Sequence, residues 1–213
     1  LAFELRQDLD PNSIEVNVNA QPNDIKIKDA IKDKSFEAKS INFNWNNQGM
    51  HLSGVANIDD LPLNLVWNEN FEAKDYQRRY QISFSFDDNF KQKLGLDTAV
   101  LTSPYIKGTI PTKAIVTVYP DNRTVVDVHG DLRDTNIDYG FLGFEKKAKT
   151  NGEIIAQINV NGSQISSIPQ FSLSKPDFKL NGEVSFDDKG SIKVIDIKNI
   201  KGPKTNAKAK IDF

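Results

Sequence analysis

Alternation of apolar and polar residues is the feature that most constrains the fold of this chain. In the run Tyr80, Ile82, Phe84 and Phe86, a polar residue separates each apolar residue from the next. Successive side chains of an extended strand point to opposite faces, so this spacing predicts strands with one apolar and one polar face. Similar runs occur at residues 14–20, 41–45, 50–58, 61–67, 80–86, 114–118, 126–132, 154–160, 178–186 and 207–213.

Turn-forming residues lie between these runs, and they indicate how the strands connect. Examples are Asp59-Asp60, residues 46–49, 120–122 and 161–163, and the segment that begins with Asp187-Asp188. The continuous apolar runs of buried parallel strands are missing, and so are long crossover helices. The sequence therefore predicts an all-β, antiparallel fold with at most short helices.

One short helix is predicted after the run that ends at Phe86. Asp87 or Asp88 is expected to cap it, Phe90 and Leu94 share a face, and Gly95 is expected to end it. Residues 29–40 show no consistent period and carry no assignment.

Composition and charge exclude several classes of protein. The net charge is −2, and acidic and basic residues are interspersed, which argues against a nucleic-acid partner. No apolar run approaches the ~18 residues of a membrane-spanning helix. No signal peptide is visible. Cysteine is absent, which excludes disulfides and thiolate chemistry. Because the chain begins at Leu1 without an initiator Met, we expect it to be a segment of a longer protein.

No arrangement of residues predicts catalysis, a metal site or a cofactor. His51 and His129 both fall on the polar face of their strands, and no ligand spacing surrounds them. The Asp-Asp pairs suit turns and helix caps better than acid–base chemistry, because consecutive strand residues point apart. Nucleophile, dinucleotide and phosphate-loop motifs are missing. Lys146-Lys147 is interpreted as a solvated pair.

A weak internal repeat joins residues 50–60 to residues 178–188. Both segments place a glycine, Gly54 or Gly182, on the apolar face and end in Asp-Asp. Gly130 occupies the same slot in a partial third copy. Glycine weakens a strand, so these positions indicate a bend, a bulge or space for something packed against the sheet.

The apolar face is the candidate functional surface. Periodicity alone is compatible with a β-sandwich, in which two sheets cover each other, and with a single curled sheet whose inner face stays open. Trp45 and Trp67 lie in phase with this face, whereas adhesion or carbohydrate-binding modules usually expose their aromatics among polar residues. Eleven residues are predicted to line one continuous apolar surface: Leu52, Ala56, Ile58, Leu63, Leu65, Phe84, Val116, Val128, Ile158, Leu180 and Val184.

From about residue 40 onward the chain resembles the bacterial AsmA-like superfamily, and especially its long YhdP-like and TamB-like members. The resemblance is carried by an ordered series of segments rather than by one motif. These segments are Gly49 through Trp67 with Leu-Pro-Leu-Asn-Leu-Val-Trp at its end, Gln77-Arg78-Arg79-Tyr80, Lys93-Leu94-Gly95-Leu96, Gly108-Thr109-Ile110-Pro111, Val128 to Ile137, Phe141 to Lys147, and Leu180 to Phe186. Residues 1–40 match poorly, and the family's N-terminal membrane helix is absent.

The resemblance implies a long antiparallel sheet curled into a U-shaped apolar groove, with residues 1–213 forming one continuous segment of it. It also implies a periplasmic location within an inner-membrane-anchored protein that bridges the inner and outer membranes. The implied function is transport of phospholipid, or another acyl lipid, that supports outer-membrane biogenesis, with the eleven apolar residues named above as the lipid-binding residues. A non-catalytic β-sandwich module for adhesion or carbohydrate binding is the alternative.

Overall fold

The computed structural model describes residues 14–31, 34–73, 75–93, 104–140, 144–162, 164–203 and 205–213. These residues form short and long strands and one helix. In chain order the elements are β1 (Asn17–Ala20), β2 (Asn23–Ile31), β3 (Lys34–Asn46), β4 (Gly49–Ile58), β5 (Leu61–Asn70), β6 (Arg78–Phe86), α1 (Asp88–Lys93), β7 (Ile106–Lys107), β8 (Ile110–Val118), β9 (Thr124–Asp131), β10 (Asn136–Tyr139), β11 (Phe144–Lys146), β12 (Glu153–Asn161), β13 (Gln164–Lys175), β14 (Phe178–Phe186), β15 (Ile192–Gly202) and β16 (Thr205–Asp212).

Thirteen strands form one open main sheet, and the other three form a small sheet. The order in the main sheet is β1-β3-β4-β5-β6-β8-β9-β12-β13-β14-β15-β16, and β2 also pairs with β3. The small sheet has the order β11-β10-β7. Every pairing is antiparallel. The predicted all-β antiparallel fold is confirmed, and the open sheet is compatible with a curled groove.

The two longest connections leave the main sheet at the same end. One follows β6 and contains α1 and β7, and the other follows β9 and contains β10 and β11. Because β6 and β9 both run toward this end, β7 and β10 can pair there, through Ile106 with Ile137. The small sheet is therefore built wholly from insertions between strands of the main sheet.

The helix begins where the sequence predicts it. The Asp87 carboxylate accepts a hydrogen bond from the Phe90 backbone N–H at 2.9 Å, so Asp87 is the N-cap. The Phe90 ring stacks on Phe84 with ring centroids 4.3 Å apart, which attaches the helix to the apolar face of β6. Leu94 and Gly95, also predicted to belong to this helix, lie outside the described residues.

Buried apolar residues form two clusters on the main sheet. The first cluster has Ala38, Ile41, Ala56 and Leu63 at its centre and draws on β2 to β6. The second cluster joins β14 and β15 to the small sheet and its connections, and it contains Ile106, Ile110, Leu132, Ile137, Phe144, Phe178, Leu180, Ile197 and Ile200. The small sheet therefore packs against part of the main sheet.

The turn between β4 and β5 holds two aspartates in the left-handed region, with φ of 46° at Asp59 and 64° at Asp60. Such a two-residue turn favours glycine at positive φ. The Asp59 carboxylate accepts hydrogen bonds from the Ser35 backbone N–H at 2.8 Å and from Lys34 Nζ at 3.1 Å. These bonds, the Ser35 N–H first, lower the pKa of Asp59 below its usual value.

Replacing Asp60 by Gly is therefore expected to stabilise the protein by about 0.5–1 kcal/mol, because glycine adopts positive φ without a steric penalty. Replacing Asp59 by Gly gains the same backbone freedom but loses both hydrogen bonds, so this matched variant should be less stable than Asp60→Gly. Urea titrations of the two variants measure the difference. Equal stability of the two would show that the Asp59 carboxylate does not anchor the turn.

Candidate functional site: the apolar face of the main sheet

Cross-strand register aligns apolar residues into rows that run across the main sheet. The row through its middle, called the central row, crosses eleven strands and contains only apolar residues and glycine. Each member is paired directly with the next. At roughly 4.8 Å between strands, ten steps span about 48 Å, more than the ~30 Å hydrocarbon core of a bilayer. The central row consists of Ile41, Gly54, Leu65, Ile82, Ala114, Val128, Ala156, Phe171, Gly182, Ile197 and Ala209.

The next row toward the β3–β4 turn, called the open row, is half-buried along most of its length. It runs from Phe43 in β3 to Ile158 in β12 through consecutive paired residues. After the bulge in β13, Ile168, Val184 and Ile195 continue it. None of these residues is fully covered, so the open row offers an accessible apolar strip. Between Phe43 and Ile158 the members are Leu52, Trp67, Tyr80, Val116 and Val126.

The row on the other side is called the covered row because most of its members are buried, with Ile154 and Ala207 as the exposed ones. Its members are Ala56, Leu63, Phe84, Thr112, Gly130, Ile154, Leu173, Leu180, Ile200 and Ala207. Its members Ala56, Leu63 and Leu180 are 1%, 6% and 6% exposed. Phe84 in this row lies under the Phe90 ring of α1. Thr112 is its one polar member, and the Thr112 hydroxyl donates a hydrogen bond to the Ile110 carbonyl oxygen at 2.9 Å. The apolar face is thus covered along one side and accessible along the other.

The structure places all eleven residues predicted to bind lipid on this one face. Leu65 and Val128 belong to the central row. Leu52, Val116, Ile158 and Val184 belong to the open row or its continuation, and all four are half-buried. Ala56, Leu63, Phe84 and Leu180 belong to the covered row, and Ile58 lies beyond it, paired with Leu61. The half-buried residues can contact a ligand directly. Ala56, Leu63 and Leu180 are buried in the two apolar clusters and stabilise the sheet beneath the accessible strip.

Side chains of the protein fill the space above two of the three repeat glycines. A Cβ atom added at Gly130 would lie 2.7 Å from Ile154 Cγ2 and 2.9 Å from Ile110 Cγ2. A Cβ atom at Gly182 would lie 2.4 Å from the Asp196 carbonyl oxygen and 2.9 Å from Phe171 Cζ. Gly182 also adjoins register shifts against both neighbouring strands. These glycines therefore allow neighbouring side chains and bulges to pack closely, and they do not leave room for a ligand.

Replacing Gly182 by Ala is expected to destabilise the protein by about 2–3 kcal/mol, because the added methyl overlaps backbone that cannot move away easily. Gly140→Ala is the matched control, since its nearest neighbours are the flexible ends of Glu145 and Asp138 at 3.3 and 3.4 Å. Thermal unfolding of both variants measures the contrast. A Gly182→Ala protein as stable as Gly140→Ala would contradict the close approach of β15.

One ion pair borders the open row on its outer side, at β5 and β6. Arg78 and Glu69 are direct cross-strand partners one row further out, with Arg78 Nε 3.4 Å from Glu69 Oε1. Inside this border, the indole N–H of Trp67 is buried and has no acceptor among the described residues. The Trp67 ring lies 5.3 Å from the Tyr80 ring. At β5 and β6 the accessible strip thus ends in aromatic side chains and then an ion pair, whereas Trp45, Met50 and Val118 are the outer neighbours on β3, β4 and β8.

Lys146 corrects one interpretation of the sequence. It is 3% exposed and not solvated. Its Nζ donates to the carbonyl oxygens of Leu132, Thr135 at 3.0 Å, Lys147 at 3.2 Å and Arg133 at 3.4 Å. Burial lowers the pKa of Lys146, while Asp131 and Asp134 act in the opposite direction. Lys146 lies two residues after the buried Phe144 in β11, so strand alternation puts both side chains on the same face and could have predicted that Lys146 is buried.

Both histidines lie on the polar face, as predicted. His51 is paired with Asn44 and Asn68, and His51 Nδ1 lies 2.8 Å from Asn68 Oδ1. His129 lies 3.3 Å from Glu153 Oε2 at an exposed position. Within the described ranges, no cluster of three or more His, Asp or Glu side chains could hold a metal ion. No helix in that part of the chain is both long and apolar enough to cross a membrane.

Comparison with known proteins identifies no related protein. No family model, no curated protein and no solved structure matches this chain. The functional assignment therefore depends on the geometry of the apolar face.

Proposed function

We propose that this protein is a non-catalytic segment of a lipid-transport protein, and that the apolar face shields the acyl chains of phospholipid or another acyl lipid from water. The observation that carries the proposal is the open row, because it keeps a continuous series of half-buried apolar residues across seven adjacent strands from Phe43 to Ile158. Long exposed apolar strips are uncommon on monomeric proteins unless they contact something.

The energetics of acyl chains favour such a surface. Each methylene taken out of water contributes about 0.8 kcal/mol, so two chains of about 15 methylenes would cost roughly 24 kcal/mol to expose. A surface that offers many similar apolar contacts removes much of this cost without one tight site. Weak and repeated contacts allow movement along the row.

The border of the open row suits the other end of a lipid. The Trp67 and Tyr80 side chains at this border have an apolar ring and a polar group, which suits the boundary between acyl chains and a headgroup. The Arg78–Glu69 pair beyond them is partly exposed, so a polar headgroup there would remain in contact with water. We place this activity in the periplasm, within an inner-membrane-anchored protein that links the two membranes, on the resemblance to AsmA-like proteins.

Photo-crosslinking tests the proposal at two adjacent residues on opposite faces. A benzoylphenylalanine at position 116, in the open row, is expected to crosslink to labelled phospholipid. The same probe at position 115, on the polar face, should not, although Ile115 is 39% exposed and therefore accessible. Equal crosslinking at both positions, or none at position 116, would contradict lipid binding by the open row.

A charge introduced at a distance from the probe at position 116 tests whether the apolar strip is continuous. Val184→Asp is expected to reduce crosslinking at position 116 several-fold while the protein stays folded, because Val184 is half-buried and a carboxylate wets the strip. Ser185→Asp is the matched control, since Ser185 is the next residue on the opposite, exposed face. Circular dichroism verifies folding. Full crosslinking by folded Val184→Asp protein would argue against a continuous path along the open row.

A further inference from the structure

Amide side chains are concentrated on the polar face near the turn between β3 and β4. Register pairs Asn19 with Asn44, Asn44 with His51, and His51 with Asn68, which forms one row across β1, β3, β4 and β5. Asparagine is depleted in strands, so the fold alone does not call for this concentration. We call the following six residues the amide patch: Asn17, Asn19, Asn44, Asn46, Asn68 and Asn70.

The amide patch lines a shallow pocket of about 480 Å³. Gln48, His51, Trp45 and Tyr76 also contribute to the lining. The Arg79 guanidinium covers one face of the Tyr76 ring, with its carbon 4.1 Å from the ring centroid. On the polar face the pocket therefore combines many neutral polar groups with one aromatic residue, Tyr76, because Trp45 lies in phase with the apolar face.

Within the amide patch, most hydrogen bonds use side-chain amide oxygens as acceptors. Several side-chain amide N–H groups are left without an acceptor in the part of the chain that the structure describes. Asn46 Oδ1 accepts from the Gln48 and Gly49 backbone N–H groups at 2.9 and 3.0 Å. Asn70 Oδ1 accepts from the Glu72 N–H at 3.2 Å, and Asn17 Oδ1 accepts from Asn19 Nδ2 at 3.2 Å. The Asn44 side chain has no partner among the described residues. The pocket thus presents unpaired amide N–H donors without a net positive charge.

These features select the chemistry of the ligand. A nucleic acid needs an extended basic surface, whereas neither lysine nor arginine lines the pocket and the one guanidinium beside Tyr76, that of Arg79, lies over the Tyr76 ring. Sugar hydroxyls both accept and donate hydrogen bonds, which matches amide groups, and the apolar faces of sugar rings pack on aromatic side chains. We propose that the amide patch is a binding site for a neutral oligosaccharide. The amide side chains of Asn44 and Asn68 lie on the face opposite the open row.

Titration with defined sugars tests the proposal. Hexasaccharides of N-acetylglucosamine, of β-1,4-linked glucose and of xylose are added to the isotope-labelled protein at up to about 10 mM, a range that detects millimolar affinity. At least one is expected to shift the amide signals of Asn44, His51 and Asn68. Asn44→Ala should weaken that binding about fivefold, which corresponds to one hydrogen bond.

The control variant is Asn64→Ala, because Asn64 is an exposed asparagine on the same face of β5, outside the pocket. It is expected to bind the sugar as the unmodified protein does. If none of the three sugars shifts these signals, or if Asn44→Ala binds as tightly as Asn64→Ala, the assignment is wrong.

Discussion

Replacing Ala56 by Asp is expected to unfold the protein or to lower its stability by about 4 kcal/mol or more, because an unpaired carboxylate would be buried among apolar groups. Ala56 is 1% exposed and belongs to the first cluster with Ala38, Ile41 and Leu63. A typical domain is stable by about 5–15 kcal/mol, so this loss removes much of the total. Urea unfolding followed by circular dichroism measures it.

Val55→Asp is the control for this substitution. Val55 is the preceding residue, points to the opposite face and is 62% exposed, so its replacement should change stability by less than about 1 kcal/mol. An Ala56→Asp protein as stable as Val55→Asp would show that the covered row is accessible to water. The contrast with Val184→Asp, expected to stay folded, separates the supporting part of the apolar face from its accessible part.

Replacing Lys146 by Met is expected to destabilise the protein by about 3 kcal/mol. The methionine fills similar space, but it removes the ammonium donor to the Thr135 carbonyl oxygen and one of two donors to the Leu132 carbonyl oxygen, which also accepts from the Thr135 backbone N–H at 3.0 Å. An unsatisfied buried acceptor costs about 1–3 kcal/mol. Lys147→Met is the control, because Lys147 is exposed and directly adjacent.

Hydrogen exchange distinguishes where the Lys146→Met variant is weakened. Amides of β10 and β11 should exchange faster, since Lys146 joins the connection after β9 to the small sheet. Amides of β4 and β5 serve as the internal reference and should be unaffected. Equal stability of the Lys146→Met and Lys147→Met proteins would contradict a structural role for the buried ammonium group.

The sequence predicted the strands whose alternation is unbroken and left others unassigned. In β3, Phe36 and Ala38 alternate, but the next apolar residue is Ile41, three positions later, because a bulge lies between Glu37 and Ser40. Bulges in β13 and β15 likewise put Phe171 three positions after Ile168 and Ile200 three positions after Ile197. A single inserted residue reverses the phase of a strand, so periodicity alone does not follow the chain through it.

The face shared by the predicted lipid-binding residues could also be derived from alternation, because neighbouring antiparallel strands keep the phase. Which members of that face are covered could not. The insertions that cover Leu180 and Phe84 include β7, β10 and β11, which have two to four residues each and are too short to show a period. The amide patch was also missed, since it depends on register between β1, β3, β4 and β5.

The order of strands in the main sheet has a consequence for how the protein folds. From β3 to β16, each strand pairs with the strand that precedes it in that sheet, and no described pairing joins β16 back to β1. Contacts close in sequence form at a low entropic cost, so hairpins can nucleate separately and grow by adding neighbours. The sheet then behaves as a nearly one-dimensional array, in which a local defect stops growth at one strand and leaves distant hairpins intact.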